Sequence, residues 1–521
     1  MNRFTPYILL ALFCAILFAW RVGSTPLIGL DEGLYAECSR EMLVSGDYVV
    51  PTCNGVLFLD KPPLVYWLQA ASMRVFGVNS LGARLPSTIA ALLLAGYVVY
   101  LGSKLYGRRA GIMAGFMLAS AILTSALARM AIMDQLFALA ITLSLGSFIL
   151  SYSGKWDRRG YVLFWAAMGI SAMIKGPAGM VIICITAGVF LLMSRDRRAL
   201  RNAIPLLGVL IFLAICLPWY ILVQIRTHGV FAGEFFIHQN LQRAMGEDFS
   251  HNQPFYFYLP IFVAGFFPWS IYVPLAWSVK VRRMRVDASL FMAVWMVVVI
   301  GVFTLSCSKL ASYIFPMLPA AAILVGAMWA EVTNAKTLGS LYKYSWIVMA
   351  VSIMLAAAFH IGLRFLPDPM PGLSLALIIM GIAIVGGSAL SVTMLALRKG
   401  KAAFAALCMG MVIFMATAVL IGLPAAAKKL STPVVEIACH IRKISPPRDG
   451  VAAYRLAHPQ PALGFYAERP VLSINDPKKL NESVSSGRIK FVVIQKEGLK
   501  ALPPGGKVVS RSGNYLLYRR Q

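Results

Sequence analysis

The chain has 521 residues, 59% of them hydrophobic and only 13% charged, where soluble domains carry about 25% charged residues. That balance excludes a soluble enzyme and sets a polytopic α-helical membrane protein. The net charge of +27 does not mark a nucleic-acid binder, because the Lys and Arg residues fall in short loops between apolar runs, where they orient a membrane protein.

A membrane span needs about 20 apolar residues. In chain order, about thirteen segments qualify by that length: roughly 7–22, 83–105, 110–128, 134–153, 160–174, 177–193, 203–224, 256–279, 288–306, 312–330, 344–363, 373–397 and 402–424. The first lacks a small-residue cleavage site and runs into Trp20-Arg21, so it is expected to be a retained span, not a signal peptide.

The connections sort by sign. "KLYGRR" (104–109), "GKWDRR" (154–159), "SRDRRALR" (194–201), "KVRRMR" (280–285) and "RKGK" (398–401) are short and basic, which places them in the cytoplasm. The alternate connections, above all 23–82 and 225–255, then face outward. An odd number of spans carries the tail outward as well. The expected organisation is a membrane part over 1–427 and an outer α/β domain over 428–521. In that tail "TPVVEIACHIRKI" has helical spacing, and "VAAYRL", "PVLSI", "KFVVIQ" and "YLLYRR" read as short strands.

The eight cysteines give no disulfide framework. Cys38 and Cys53 share the first outer loop and are expected as free thiols, with pairing the alternative in an oxidising compartment.

The charges that topology does not explain face outward. Lys61, Arg129, Lys175, Arg243 and Lys309 stand beside Gly, Pro and aromatic residues close to membrane depth. One such cation usually snorkels; several together mark a site. Cations without an equal number of acids suit a phosphate or diphosphate, and a lipid-linked phosphate lies at this level by its own chain. Two prolines after Lys61 fix its backbone. Lys309 and Tyr313 are four apart, so on a helix they share a face.

The acids form the other half. Asp31 and Glu32 sit at the start of an interface helix expected over 34–44, where Asp31 is either an N-cap or a catalyst. Glu37 and Glu41 read as its solvated face. Asp134 opens an apolar span and is expected to be charge-paired or in the site. His238, Glu247, Asp248 and His251 share one loop and could ligate an ion, but read first as solvated. The expected metal set is none, no cofactor is required, and a divalent ion stays open.

These residues, "LDEGLYAECSREML.SGD", "F.DKPPLVYWL", "AR…MD", "KGP" and "SKLASYIFPMLP", resemble the GT-C membrane glycosyltransferases. The branch most resembled is that of the lipid A aminoarabinose transferases, which is related to the protein O-mannosyltransferases. The resemblance covers the whole chain. It implies a multi-pass protein of the bacterial inner membrane with a periplasmic site, a polyprenyl-phosphate sugar donor (undecaprenyl in bacteria) and inverting transfer. It assigns Asp31 and Glu32 to catalysis and Lys61 to the donor phosphate, and it puts Arg243, Lys309 and Tyr313 around the cavity, where their charge and hydroxyl suit them to the same phosphate. Asp134, Arg129, Lys175 and His251 fall around the cavity. The branch usually has an Arg two residues after the acidic pair; Leu34 stands there instead, which leaves the sugar and the acceptor open.

The chemistry agrees. A lipid phosphate leaving group needs cations for its developing charge. A hydroxyl acceptor needs a base, Asp31, with Glu32 orienting; a lipid A phosphate is already a nucleophile. The alternatives are an O-mannosyltransferase-like enzyme acting on protein or glycan, a secondary transporter, and a lipid-binding scaffold. The chain lacks GxxxxGK[ST], GxGxxG and HExxH, consistent with a lipid-carried donor. Partners are the donor, a lipid or glycan acceptor and membrane lipids, with no nucleic acid.

Overall fold

The computed structural model describes residues 4–242, 253–281, 287–331, 335–365, 370–446, 449–456, 461–496 and 506–520. Among them, nine helices are long and apolar enough to cross a membrane. Two further crossings are bent: Arg108–Ser120 turns by 67° into Ile122–Ala128, and Tyr258–Gly265 by 109° into Trp269–Lys280. The shorter apolar helices Thr5–Ala19 and Gly160–Lys175 complete the set, one for each segment expected from the sequence. Most are apolar around their whole circumference, as lipid on one side and protein on the other require.

At one end of this bundle the first loop folds into three pieces. These are a loop helix over Gly29–Ser45, an antiparallel hairpin of β1 (Thr52–Cys53) and β2 (Val56–Leu57), and a helix over Leu64–Phe76. The tail sits against the same end. Its helix Thr432–Ile444 buries Val434, Ile437, Ala438 and Ile441. They cover one face of a sheet built from β3 (Gly450–Tyr454), β4 (Val471–Ile474), β5 (Ile489–Gln495), β6 (Gly506–Ser512) and β7 (Tyr515–Arg520). The order is β4-β3-β5-β7-β6, parallel across the first three and antiparallel beyond. Strand β6 and the helices Pro461–Ala467 and Pro477–Ser485 were not expected from the sequence.

The loop helix corrects one expectation. It is neither amphipathic at an interface nor wet on its acidic side. Glu37 is 0% exposed and bound by Arg40 through two 2.7 Å hydrogen bonds. Glu41 accepts from the Thr52 hydroxyl at 2.6 Å and the Gly55 amide at 3.0 Å. The cover comes from the tail: a Cβ on Gly464 would lie 3.0 Å from Glu37 Oε1, and one on Gly33 2.7 Å from the Ala462 amide nitrogen. Buried carboxylates persist when paired and hydrogen-bonded, and both of these are. Cys38 and Cys53 are free thiols packed in one cluster.

Candidate active site

Glu32 and Asp31 are neighbours with opposite surroundings. Glu32 is 1% exposed and has both oxygens engaged. Oε1 accepts from Arg84 Nε at 2.9 Å and the Ala131 amide at 2.7 Å; Oε2 accepts from Arg84 Nη2 at 2.8 Å and the Ile28 amide at 2.7 Å. Arg84 also donates to the carbonyls of Val22, Thr25 and Pro26. The carboxylate therefore ties the chain entering the loop helix to the first long membrane helix, Ser80–Tyr106. Asp31 is exposed. It lies in the first turn of a helix whose N-cap is Ile28, with no side-chain capping bond, so it is not the cap.

One turn on from Asp31, Tyr35 marks where the acids converge. Burial, and then Asp31, Asp134, Tyr313 and Asp60 in turn, push its phenol well above the ordinary range. Asp134 begins the helix Asp134–Tyr152, and Lys175 ends the helix Gly160–Lys175. Acid at a helix start and base at a helix end both suit the helix dipole. Their side chains meet at 2.7 Å, and Lys175 Nζ also stands 4.3 Å over the ring of Tyr313. Lys61, Lys175 and Tyr313, with Gln239, Ser306 and Ser308, line one cavity of about 370 Å³.

Two more cavities lie in the bundle. One, of about 340 Å³, is lined by Tyr220, Phe231, Phe236 and other apolar residues, and shares Pro177 with the first. The other, of about 660 Å³, is almost wholly apolar and has Glu32, Arg84 and Arg129 in its wall.

The structure separates some residues that the sequence grouped. Arg129 donates to the carbonyls of Leu17, Phe18 and Trp20, satisfying acceptors left at the end of the first helix, and faces the large apolar cavity. Lys309 is 7% exposed and precedes the 3₁₀ helix Ala311–Met317. It does not share a helix face with Tyr313, whose cationic neighbour is Lys175. Arg243, Glu247, Asp248 and His251 lie outside the described residues. Among the described residues, no three His, Cys, Asp or Glu side chains form a metal-sized group.

Sequence reasoning missed Tyr35 and Arg84. Tyr35 had a signal in its i,i+4 spacing from Asp31. Arg84 had one as an arginine inside an apolar segment.

Apolar crossings, an acidic helix in the first loop, a cationic cavity at the same end and a C-terminal α/β unit are the arrangement the motifs implied for the GT-C fold, and the likeness in fold reported below bears that fold out. Residues 60–222 match the family described as dolichyl-phosphate-mannose-protein mannosyltransferase. The undecaprenyl phosphate-alpha-4-amino-4-deoxy-L-arabinose arabinosyl transferase of Pseudomonas aeruginosa (strain UCBPP-PA14) is 32% identical over 300 residues. That stretch is 57% of this chain and 54% of the relative, so the match spans about half the relative's length. The enzyme of the same description from Pectobacterium carotovorum is 27% identical over 84% of this chain and 80% of its own. In fold, ArnT from Cupriavidus metallidurans bound to undecaprenyl phosphate superposes with a TM-score of 0.83 at 24% identity, covering 99% of this chain and 98% of that one.

Proposed function

We propose that this protein moves a sugar from an undecaprenyl-phosphate carrier to lipid A on the periplasmic side of the bacterial inner membrane, with 4-amino-4-deoxy-L-arabinose as the sugar. The observation that carries the reading is the meeting of Lys61, Lys175 and Tyr313 on one cavity, with Asp134 paired to Lys175 and with Asp31 and Tyr313 both acting on Tyr35. The bond between the sugar's anomeric carbon and the carrier phosphate breaks as the acceptor oxygen attacks from the opposite face, inverting the configuration. The carrier leaves with one more negative charge. Lys61, Lys175 and the Tyr313 hydroxyl take up that charge, and Arg243 and Lys309 are assigned to the same task from the motifs. The aromatic cavity joined at Pro177 suits the carrier's prenyl chain.

Asp31 takes the proton when the acceptor is a hydroxyl. When the acceptor is a lipid A phosphate no base is needed, and Asp31 and Asp134 hold the sugar's amine. Glu32 acts by orienting the helix that bears Asp31. The cations at hand meet the charge requirement without a cofactor. Lipid A is favoured as acceptor by the large apolar cavity at the helix entry. Transfer to protein is the second reading, favoured by the mannosyltransferase match over residues 60–222. The periplasmic placement rests on the basic loops at the far end of the bundle.

The test is reconstitution of the purified protein with undecaprenyl-phosphate aminoarabinose and lipid A, with mass spectrometry of lipid A from cells with and without the protein. The mass of one added aminoarabinose is expected on lipid A in the reconstituted reaction and in cells that carry the protein, and not in cells that lack it. Unmodified lipid A alongside newly glycosylated envelope protein overturns this reading in favour of the second.

A further inference from the structure

The tail reaches the site through residues that the transfer reading does not use. Leu27 and Ile28 lead into the loop helix, and their two amides have different partners. Ile28 donates to Glu32, as described, while Leu27 donates at 2.9 Å to the phenol oxygen of Tyr466. That phenol is also 2.7 Å from the hydroxyl of Ser80. Ser80 opens the same membrane helix that supplies Arg84 one turn later. The entry to the helix bearing Asp31 is thus held from two sides, by the bundle through Arg84 and by the tail through Tyr466.

The phenol is not what docks the tail. Phe465, fully buried, packs with Leu27, Ala36, Met73, Ala83 and Ala131. Gly33 and Gly464 let the helix Pro461–Ala467 touch the loop helix and Asn54 at backbone distance, since a Cβ would meet Ala462 N at 2.7 Å and Asn54 Oδ1 at 2.5 Å. Asn54 Oδ1 accepts from the Val471 amide at 3.0 Å. All of these contacts survive removal of one hydroxyl. What that hydroxyl alone does is fix the backbone four residues before Asp31.

We infer that Tyr466 is a positioning residue: the C-terminal domain uses its phenol, bridged to Ser80, to set the placement of Asp31 in the active site. The inference rests on the proposed transfer reading for its activity test and has a second readout that does not. Misplacement of a reacting group by about 1 Å costs about 100-fold in rate. Tyr466→Phe in the full-length protein is therefore expected to lower kcat for transfer from undecaprenyl-phosphate aminoarabinose to lipid A by about 10- to 100-fold. The donor KM and the melting temperature stay at the wild-type values. Ser80→Ala moves kcat the same way by a smaller factor. In an Asp31→Asn background Tyr466→Phe costs nothing further, because both changes remove one function.

An unchanged kcat, or a loss that adds in full to that of Asp31→Asn, overturns the inference. So does a loss that tracks a lowered melting temperature. Hydrogen exchange over residues 27–36, measured on the same samples, is expected to quicken in Tyr466→Phe. If wild-type protein transfers no sugar, the function reading fails, and unchanged exchange in that segment then overturns the positioning role by itself.

Discussion

The two sides of the loop helix solve opposite problems. On the side toward the tail and the first long membrane helix, Glu32, Glu37 and Glu41 are buried and saturated by Arg84, Arg40, Thr52 and backbone amides. Elsewhere on the same helix Asp31 is exposed, and Tyr35 one turn on feels Asp31, Asp134, Tyr313 and Asp60. Four acids within eleven residues thus divide into three buried ones that hold the helix in place and one that is exposed. Identity of residue type does not tell them apart; the neighbours that cover each one do.

The comparison breaks most visibly at the cavity. Lys61→Ala is expected to abolish transfer while the protein still purifies folded, and Lys61→Arg to restore little, since a guanidinium differs from an ammonium in shape and hydration. Normal turnover by purified Lys61→Ala rejects the role.

The sharpest contrast is between neighbours. Asp31→Asn is expected to keep the wild-type melting temperature and lose about 100- to 10,000-fold in rate if the acceptor is a hydroxyl. Glu32→Ala is expected to do the reverse, destabilising the fold by about 3–5 kcal/mol because Arg84 is left buried without its counter-charge. Thermal unfolding and transfer assays on both variants check this, and equal unfolding curves for the two would dissolve the division. An Asp31→Asn enzyme that keeps kcat and only binds the aminosugar donor more weakly points to a phosphate acceptor.

The smallest effect concerns pH. Burial pushes the Glu37 carboxyl up to about 7, against the downward pull of Arg40. A raised folded value means that this group's stabilisation is complete below the ordinary value of 4.5 and fades as pH rises through about 7. Wild type should therefore lose melting temperature relative to Glu37→Gln between about pH 5 and about pH 8. Parallel pH profiles would show that Glu37 does not titrate in this range.

Much of this was legible beforehand, and the failures share a cause. Each span announced itself because about 20 apolar residues in a row have few other uses. The tail strands did so by β-rich runs between Pro and Gly. Asp134, Lys61 and Lys175 stood out as charges near membrane depth. The wet face assigned to Glu37 and Glu41 failed because two distant pieces cover it: residues 461–471, at the other end of the chain, over Glu37, and the hairpin at 52–57 over Glu41. The pairing of Lys309 with Tyr313 failed because i,i+4 spacing presumes an α-helix. The chain is extended there and then runs into a 3₁₀ turn containing Pro316, whose ring removes a backbone donor.

Pro177 stands at the junction of the cationic cavity and the aromatic one. A lipid-borne substrate using both is one that arrives sideways, from within the bilayer, and never passes through bulk water. Its encounter with the protein is then a two-dimensional event, so saturation follows the mole fraction of donor in the surrounding lipid or micelle. Diluting an assay with detergent at constant donor molarity starves such an enzyme, while diluting it with buffer does not.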